Sequence, residues 1–447
     1  MSLNPHIAKS TIVGAFGGLL FGFDTAVISG TTEALTANYH LSPFLLGVTV
    51  FSALVGTVIA SLLAGFPAQR YGRRDTLRVM ALLYIISAVG CALAWNWSAL
   101  IAFRFIGGLA IGGSSVIGPM YIAEIAPPDW RGRLVGFFQV NVVVGILLAY
   151  MSNAAIGALH LGAGQWRWQL GVSGLPALLF LITLYFIPRS PRWLVMKKNL
   201  DEALEVLKLT GIEHPKQELD EIVASVHLEL ASSSDPLFSR QYRKPVILAL
   251  TVGLFCQLSG INAVLYYLND IFALAGATSM SGNLQAIAVG ATNLVATLVA
   301  MSVIDKIGRK KLLLTGTVGL AFCLAAITAI FFTHQHMGWL LWLLMIYIAL
   351  FAISQGAVVW VYISEVFPNR VRAKGQSLGS AAHWMTNAAI SLVFPVMAKS
   401  SGAYPFLFFC IMMVVDFFLV WFYYPETSSI SLEQMQHHLA VDSVEKL

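Results

Sequence analysis

With 447 residues, 57% of them hydrophobic and only 11% charged, the chain is far from the soluble globular pattern, in which roughly a quarter of residues carry charge. A net charge of +5 is too modest to suggest a nucleic-acid partner. The four cysteines, Cys91, Cys256, Cys323 and Cys410, fall in separate apolar segments without CxxC spacing, which argues against a disulfide framework and against a metal site.

Apolar stretches of about 20 residues, each long enough to cross a hydrocarbon core of roughly 30 Å, recur along the chain. They are predicted near 10–32, 44–68, 77–95, 98–124, 132–153, 168–188, 245–273, 282–304, 311–333, 338–364, 375–398 and 402–424, twelve in all. The first has no small-residue cleavage pattern after it and leads directly into the second, so it is read as a retained helix and not a signal peptide. It carries Asp24 inside the run GLLFGFDTAVISG. A charge at mid-membrane costs something like 2.5 to 3.5 kcal/mol even on lenient scales, so an acid there is a functional hypothesis by default. Its candidate partner is Arg104 in the fourth span, the only basic residue set inside a span and not at its edge.

Between the sixth and seventh spans lies one long polar segment, about 189–244. Leu219, Ile222, Val223 and Val226 recur there at helical spacing, and Asn199 followed by Glu202 resembles a helix start. Short amphipathic helices on the membrane face are expected, with an unstructured connection as the alternative. Of the 27 Lys and Arg residues, 24 fall on one side of this map, two (Arg167 and Lys399) on the other, and Arg104 within a span. The positive-inside tendency makes the rich side cytoplasmic and places both termini there, as expected of a multi-pass protein of the cell (inner) membrane.

The two halves repeat. GRRD at Gly72–Asp75 follows the second span, and GRKK at Gly308–Lys311 follows the eighth. Glu124, Pro127 and Arg131 match Glu365, Pro368 and Arg372 in spacing. Two signatures in the same order at corresponding loops indicate a duplicated six-helix unit, the plan of the major facilitator superfamily. The expected division is an N-terminal bundle 1–188, a linker 189–244 with short helices, a C-terminal bundle 245–425 and a tail 426–447. The fold class is all-α integral membrane.

On Gly72-Arg73-Arg74, PMYIAEIAP from Pro119, PRSPRWL from Pro188, QLSGINAVLYY from Gln257, DKIGRKK from Asp305, SEVFPNRVRAKG from Ser364 and PET from Pro425, the chain resembles the sugar porter family of that superfamily over nearly its whole length. The resemblance implies two bundles that rock about a central sugar site. It departs from the family at Gln69, where an acid is usual, so a weaker first-half latch is expected. Cys256 stands where a second glutamine is common, and His383 where an amide or small polar group is more frequent.

Sugar hydroxyls are donors and acceptors at once, which suits side-chain amides, and sugar C–H faces suit aromatic rings. The spans contain Gln139, Gln257, Asn262, Asn293, Trp360, His383, Trp384 and Asn387. By resemblance, Gln139, Gln257, Asn262, Asn293, Trp360 and Asn387 match sugar-contacting positions and Trp384 a supporting aromatic one. Helix-to-helix hydrogen bonding is the competing use of such amides. His383 either binds a hydroxyl or packs as a neutral ring. Gly260 permits a local helix break and a gate hinge. Tyr266 and Tyr267 resemble an extracellular lid, with an interfacial aromatic belt as the alternative. Glu124, Arg131, Glu365, Arg372, Arg73 and Arg309 are expected to latch the cytoplasmic ends by ion pairing, Glu124 with an arginine of the opposite bundle or Arg372 with a carboxylate, with lipid-headgroup anchoring as the alternative.

In the family, an acid at the position of Asp24 beside the fourth-helix position of Arg104 implies proton symport, whereas an amide accompanies facilitated diffusion. The expected function is import of a monosaccharide or related polyol together with a proton. A uniporter and a non-transporting sugar sensor are the alternatives. Asp416, in the last span, is read as protonated or hydrogen-bonded on a helix that the resemblance makes a peripheral scaffold, with a coupling role as the alternative. No catalytic constellation, phosphate loop or metal spacing stands out, so no enzyme, no cofactor and no metal is expected. The expected partners are a sugar or polyol, the proton and the lipid bilayer, without an obligatory protein partner.

Overall fold

A computed structural model describes residues 4–127, 130–212, 214–231, 236–277, 279–368 and 371–428. The predicted tail beyond Ser428 lies outside the described residues, as do Pro128, Asp129, Asn369 and Arg370 of the repeated signatures. Among the described residues the secondary structure is helical, with no strand. The first half contains α1 (Pro5–Val27), α2 (Thr32–Tyr39), α3 (Pro43–Leu63), α4 (Gly65–Tyr71), α5 (Arg73–Leu93), α6 (Trp97–Ile125), α7 (Arg131–Gly157), α8 (Gln165–Gly171) and α9 (Gly174–Thr183). The linker forms α10 (Pro191–Met196), α11 (Leu200–Leu209) and α12 (Pro215–Ala231). The second half contains α13 (Arg243–Leu258), α14 (Ile261–Tyr266), α15 (Leu268–Leu274), α16 (Ser279–Ile307), α17 (Arg309–Thr333), α18 (Leu340–Ile353), α19 (Gln355–Glu365), α20 (Arg372–Ser400) and α21 (Ala403–Tyr423).

Eleven helical stretches among the described residues are long and apolar enough to cross a membrane. The remaining predicted span, 168–188, is made in two pieces, α8 and α9. Pro176 has no N–H to give the Val172 carbonyl, which accepts from Leu175 N at 3.1 Å instead, so the helix tightens and steps at Val172–Ser173. The seventh span is broken twice, at Ser259–Gly260 and at Tyr267, and the tenth once, at Ser354.

The chain forms two compact units. One comprises Met1–Asp24, Val55–Ala149 and Arg167–Ser233, and the other Thr25–Leu54, Tyr150–Trp166 and Ser234–Leu447. In the first, α5 packs along α6 and α9 around Leu20, Ala81, Ile117, Tyr121 and Phe180. In the second, α17 packs along α21 and α13 along α20, and one apolar core gathers Ala249, Leu313, Val358, Tyr362 and Phe367. Arg167, one of the two cations on the poor side of the charge map, donates to the Ala92 and Ala94 carbonyls at 2.8 Å. It thereby satisfies carbonyls that the end of α5 leaves open.

The linker is ordered by the cues its sequence contains. The Asn199 side chain accepts from Glu202 N at 3.4 Å and donates to Glu202 Oε2 at 2.7 Å, a reciprocal N-cap for α11. Leu219, Ile222, Val223 and Val226 of α12 turn to a small core of Trp193, Leu194, Ala203 and Val206. We expect Val226→Asp to undock α12 without disturbing the spans. Limited proteolysis should then cut within 214–231 while the thermal midpoint of the detergent-solubilised protein changes little.

Candidate functional site

Asp24 lies near the end of α1 and Arg104 at the second turn of α6. Arg104 Nη1 donates to Asp24 Oδ1 at 2.9 Å. The arginine side chain is sealed at 3% exposure whereas the aspartate keeps 18%, so the acid is the less enclosed of the two. Arg104 Nε is buried without a partner among the described residues. Gln139, on α7 of the same unit, is half-buried.

The second unit assembles most of the predicted amide set. Gln257 Nε2 lies 2.7 Å from His383 Nε2, and Asn262 Nδ2 donates to Gln257 Oε1 at 3.2 Å. Trp360, 40% exposed on α19, approaches the His383 ring with centroids 4.9 Å apart, and Trp384 meets the same ring edge-on at 5.4 Å. His383 is therefore tied into the polar set by one ring nitrogen, while Nδ1 has no partner among the described residues. Asn387 donates to Tyr266 Oη at 3.2 Å and accepts from Ser391 Oγ at 3.1 Å. Asn293 is buried on α16 and makes no hydrogen bond to the others among the described residues.

The helix break expected at Gly260 is present: its φ of +87° is left-handed, and a Cβ there would lie 2.3 Å from the Phe409 ring. Tyr347 Oη takes the freed Ser259 carbonyl at 2.7 Å, and Tyr150 Oη takes that of Leu265 at 3.1 Å. The interfacial-belt alternative for Tyr266 and Tyr267 is corrected here. Both are buried, at 3% and 1% exposure, and Tyr267 donates to the Ser391 carbonyl at 2.9 Å while stacking on Phe394.

The repeated signatures fold into two matching clusters. Gly72 and Gly308 have nearly the same backbone, φ 95° and ψ 156° against φ 97° and ψ 152°, a conformation open to glycine, and each delivers the arginine that follows. Arg73 donates to Glu124 Oε1 through Nε at 3.0 Å and Nη2 at 2.7 Å, and to the Ala68 carbonyl at 3.0 Å. Arg309 donates to Glu365 Oε1 at 3.0 Å and to the Ile304 carbonyl at 3.4 Å. Arg131 reaches the Ala126 carbonyl at 3.5 Å and Arg372 that of Phe367 at 3.3 Å. All four arginines bond a carbonyl five residues back. Glu124 thus pairs with Arg73 of its own unit, which corrects the expected partner across the bundles. The first-half pair needs no acid at position 69: Gln69 is exposed, and only its backbone carbonyl is engaged, by Trp193 Nε1 at 3.0 Å.

Sequence reasoning missed the residues that complete these sets. Ser190 donates to Glu124 Oε2, and Thr427 donates to Glu365 Oε2 at 2.6 Å. Glu426 caps α17 by accepting from Arg309 N at 2.8 Å and Lys310 N at 3.1 Å. Asp270 on α15 accepts from Thr32 Oγ1 at 3.0 Å. The signal for Ser190, Glu426 and Thr427 was present in PRSPRWL and PET, read only as motifs.

A membrane protein built of spanning helices from a duplicated unit, with broken helices lined by amides and an intramembrane acid–base pair, is of the transporter class. The chain belongs to the family described as "Sugar (and other) transporter", whose profile matches residues 10–439. It is 37% identical over 427 residues to the arabinose-proton symporter of Bacillus subtilis (strain 168), covering 94% of this chain and 92% of that one. It is 36% identical over 472 aligned positions to the D-xylose-proton symporter of Escherichia coli (strain K12), covering 97% and 96%. The inward open conformation of the E. coli xylose transporter XylE superposes with a TM-score of 0.86 at 35% identity, covering 97% of this chain and 99% of that one. The fold is that of the major facilitator superfamily.

Arg73 and Glu124 side chains are 6% and 9% exposed, against 11% and 25% for Arg309 and Glu365. Removing one partner of a buried pair strands the other, so Arg73→Ala should cost about 3 kcal/mol and Arg309→Ala clearly less. Adding Glu124→Gln to Arg73→Ala should recover part of the loss, as read from unfolding midpoints in detergent.

Proposed function

We propose that this chain imports a monosaccharide or related polyol together with a proton by alternating access. The observation that carries the reading is the Arg104–Asp24 pair, made at 2.9 Å between two predicted spans with the base sealed and the acid less enclosed. The relatives named as arabinose-proton and D-xylose-proton symporters support it.

In the proposed cycle Asp24 accepts a proton from the outer side and lets go of Arg104. Sugar then binds to the amide and aromatic set, Gln257, Asn262, His383 and Trp360 from the second half, with Gln139, Asn293, Asn387 and Trp384 completing it. The halves 1–188 and 245–425 rock, and sugar and proton leave on the other side. Re-formation of the ion pair resets the site. The breaks at Gly260 and Tyr267 act as hinges, with Tyr266 and Tyr267 as the lid. The Arg73–Glu124 and Arg309–Glu365 clusters hold the cytoplasmic ends. The protein sits in the cell (inner) membrane with both termini cytoplasmic, which accords with 24 of the 27 Lys and Arg lying on one side of the span map.

A proton falling through about 100 mV supplies roughly 2.3 kcal/mol, enough for on the order of 50-fold accumulation. Protein in liposomes, tested against labelled pentoses, hexoses and inositol with an imposed inward proton gradient, should concentrate one of them. Asp24→Asn should only equilibrate the same sugar. If wild type and variant both only equilibrate the sugar, the protein is a uniporter; if both concentrate it, Asp24 is not the coupling acid; and no movement of any sugar would overturn the substrate class.

A further inference from the structure

Asp416 is an acid in the middle of the last predicted span, 402–424, and the coupling mechanism does not use it. It lies on the inner face of α21 at 3% exposure, while Val414 and Phe418 beside it face outward. Its Oδ2 accepts from Gln355 Nε2 at 2.8 Å. Gln355 is the first residue of α19, directly after the break at Ser354, where φ is −104° and ψ −95°.

The break is held from two sides. A Cβ on Gly316 of α17 would lie 2.1 Å from Ser354 Cβ, so the two helices touch there without a spacer. From the other side comes the Asp416–Gln355 bond. The narrow space around it is lined by Cys256, Leu313, Val359 and Val420 and is too tight for a water molecule. No solvent can replace the bond if it is lost, and an unmade bond in such surroundings is costly.

We propose that Asp416 is a positioning residue for the substrate site, acting through Gln355 on α19. A helix of 11 residues moves as a rod, and Trp360 lies five residues beyond Gln355, about 7.5 Å along the axis. Fixing the start of the rod fixes Trp360 against His383, and His383 is the partner of Gln257. Gln355 Oε1 is buried without a partner among the described residues. An asparagine at 416 can accept from Nε2 and donate to Oε1, so it preserves the pairing, whereas leucine removes it. The substrate half of this inference rests on the sugar-transport reading above.

The test compares Asp416→Leu, Asp416→Asn, Gln355→Leu and the double leucine variant. One readout is the fluorine NMR signal of Trp360 in protein labelled with 5-fluorotryptophan, assigned through Trp360→Phe. The other is KM and kcat for the sugar the wild type carries. We expect Asp416→Leu and Gln355→Leu each to move the Trp360 signal and raise KM about tenfold, with a smaller effect on kcat. The double variant should be no worse than either single one, and Asp416→Asn should stay near wild type in both readouts. An unmoved Trp360 signal in the leucine variants overturns the proposal, as does an asparagine variant as impaired as the leucine one. Should Asp416→Leu fail to fold, Gln355→Leu breaks the same bond from the other end and decides alone. Should the wild type carry no sugar, the transport reading fails, and the Trp360 signal still decides the positioning.

Discussion

At bilayer depth a polar group has no water to turn to and must find its partner within the protein. Most of what is specific in this structure follows from that requirement. The Asp24 carboxylate is met by Arg104, and the Asp416 carboxyl by the Gln355 amide. Where a helix breaks, the carbonyl it frees is taken by a tyrosine hydroxyl, Tyr347 for Ser259 and Tyr150 for Leu265. Irregular backbone is thereby tolerated inside the membrane, and it is beside the irregular backbone that the amide set gathers.

The same requirement accounts for the arginine clusters. An arginine offers five donors in a fixed fork, more than one carboxylate can take. In both halves the surplus goes to a backbone carbonyl five residues earlier, and a hydroxyl, from Ser190 or Thr427, meets the free oxygen of the glutamate. The duplication seen in the letters is therefore a duplication of hydrogen-bond bookkeeping, down to the φ of the glycine that precedes each arginine.

Much of this was legible in the sequence because hydrophobic length and charge placement are local quantities. Twelve apolar runs, the repeat at Gly72 and Gly308, the linker cap at Asn199 and the break at Gly260 each follow from a short stretch read alone. Pairing is not local. Nothing near Glu124 says that its arginine is 51 residues back in its own unit and not in the other half. Nothing near Tyr266 says that α20 covers it. Gln355 and Asp416 lie 61 residues apart, and neither is informative without the other. The two-piece sixth span was hidden for a different reason. Average hydropathy over a window ignores a missing N–H, and Pro176 alone interrupts the ladder.

The capping of α17 by Glu426 has a practical meaning for anyone who shortens or tags the chain. The stretch Pro425–Ser428 follows the last span and would ordinarily be treated as dispensable. Yet Pro425 receives the Tyr362 hydroxyl, Glu426 closes the start of α17, and Thr427 and Ser428 reach Glu365 and Arg309. These four residues work as a splice that ties the end of the last helix to the start of another and to one arginine cluster. A cut placed after Ser428 keeps these four residues, whereas one placed after Tyr424 removes them and opens the Arg309–Glu365 cluster from outside the spans.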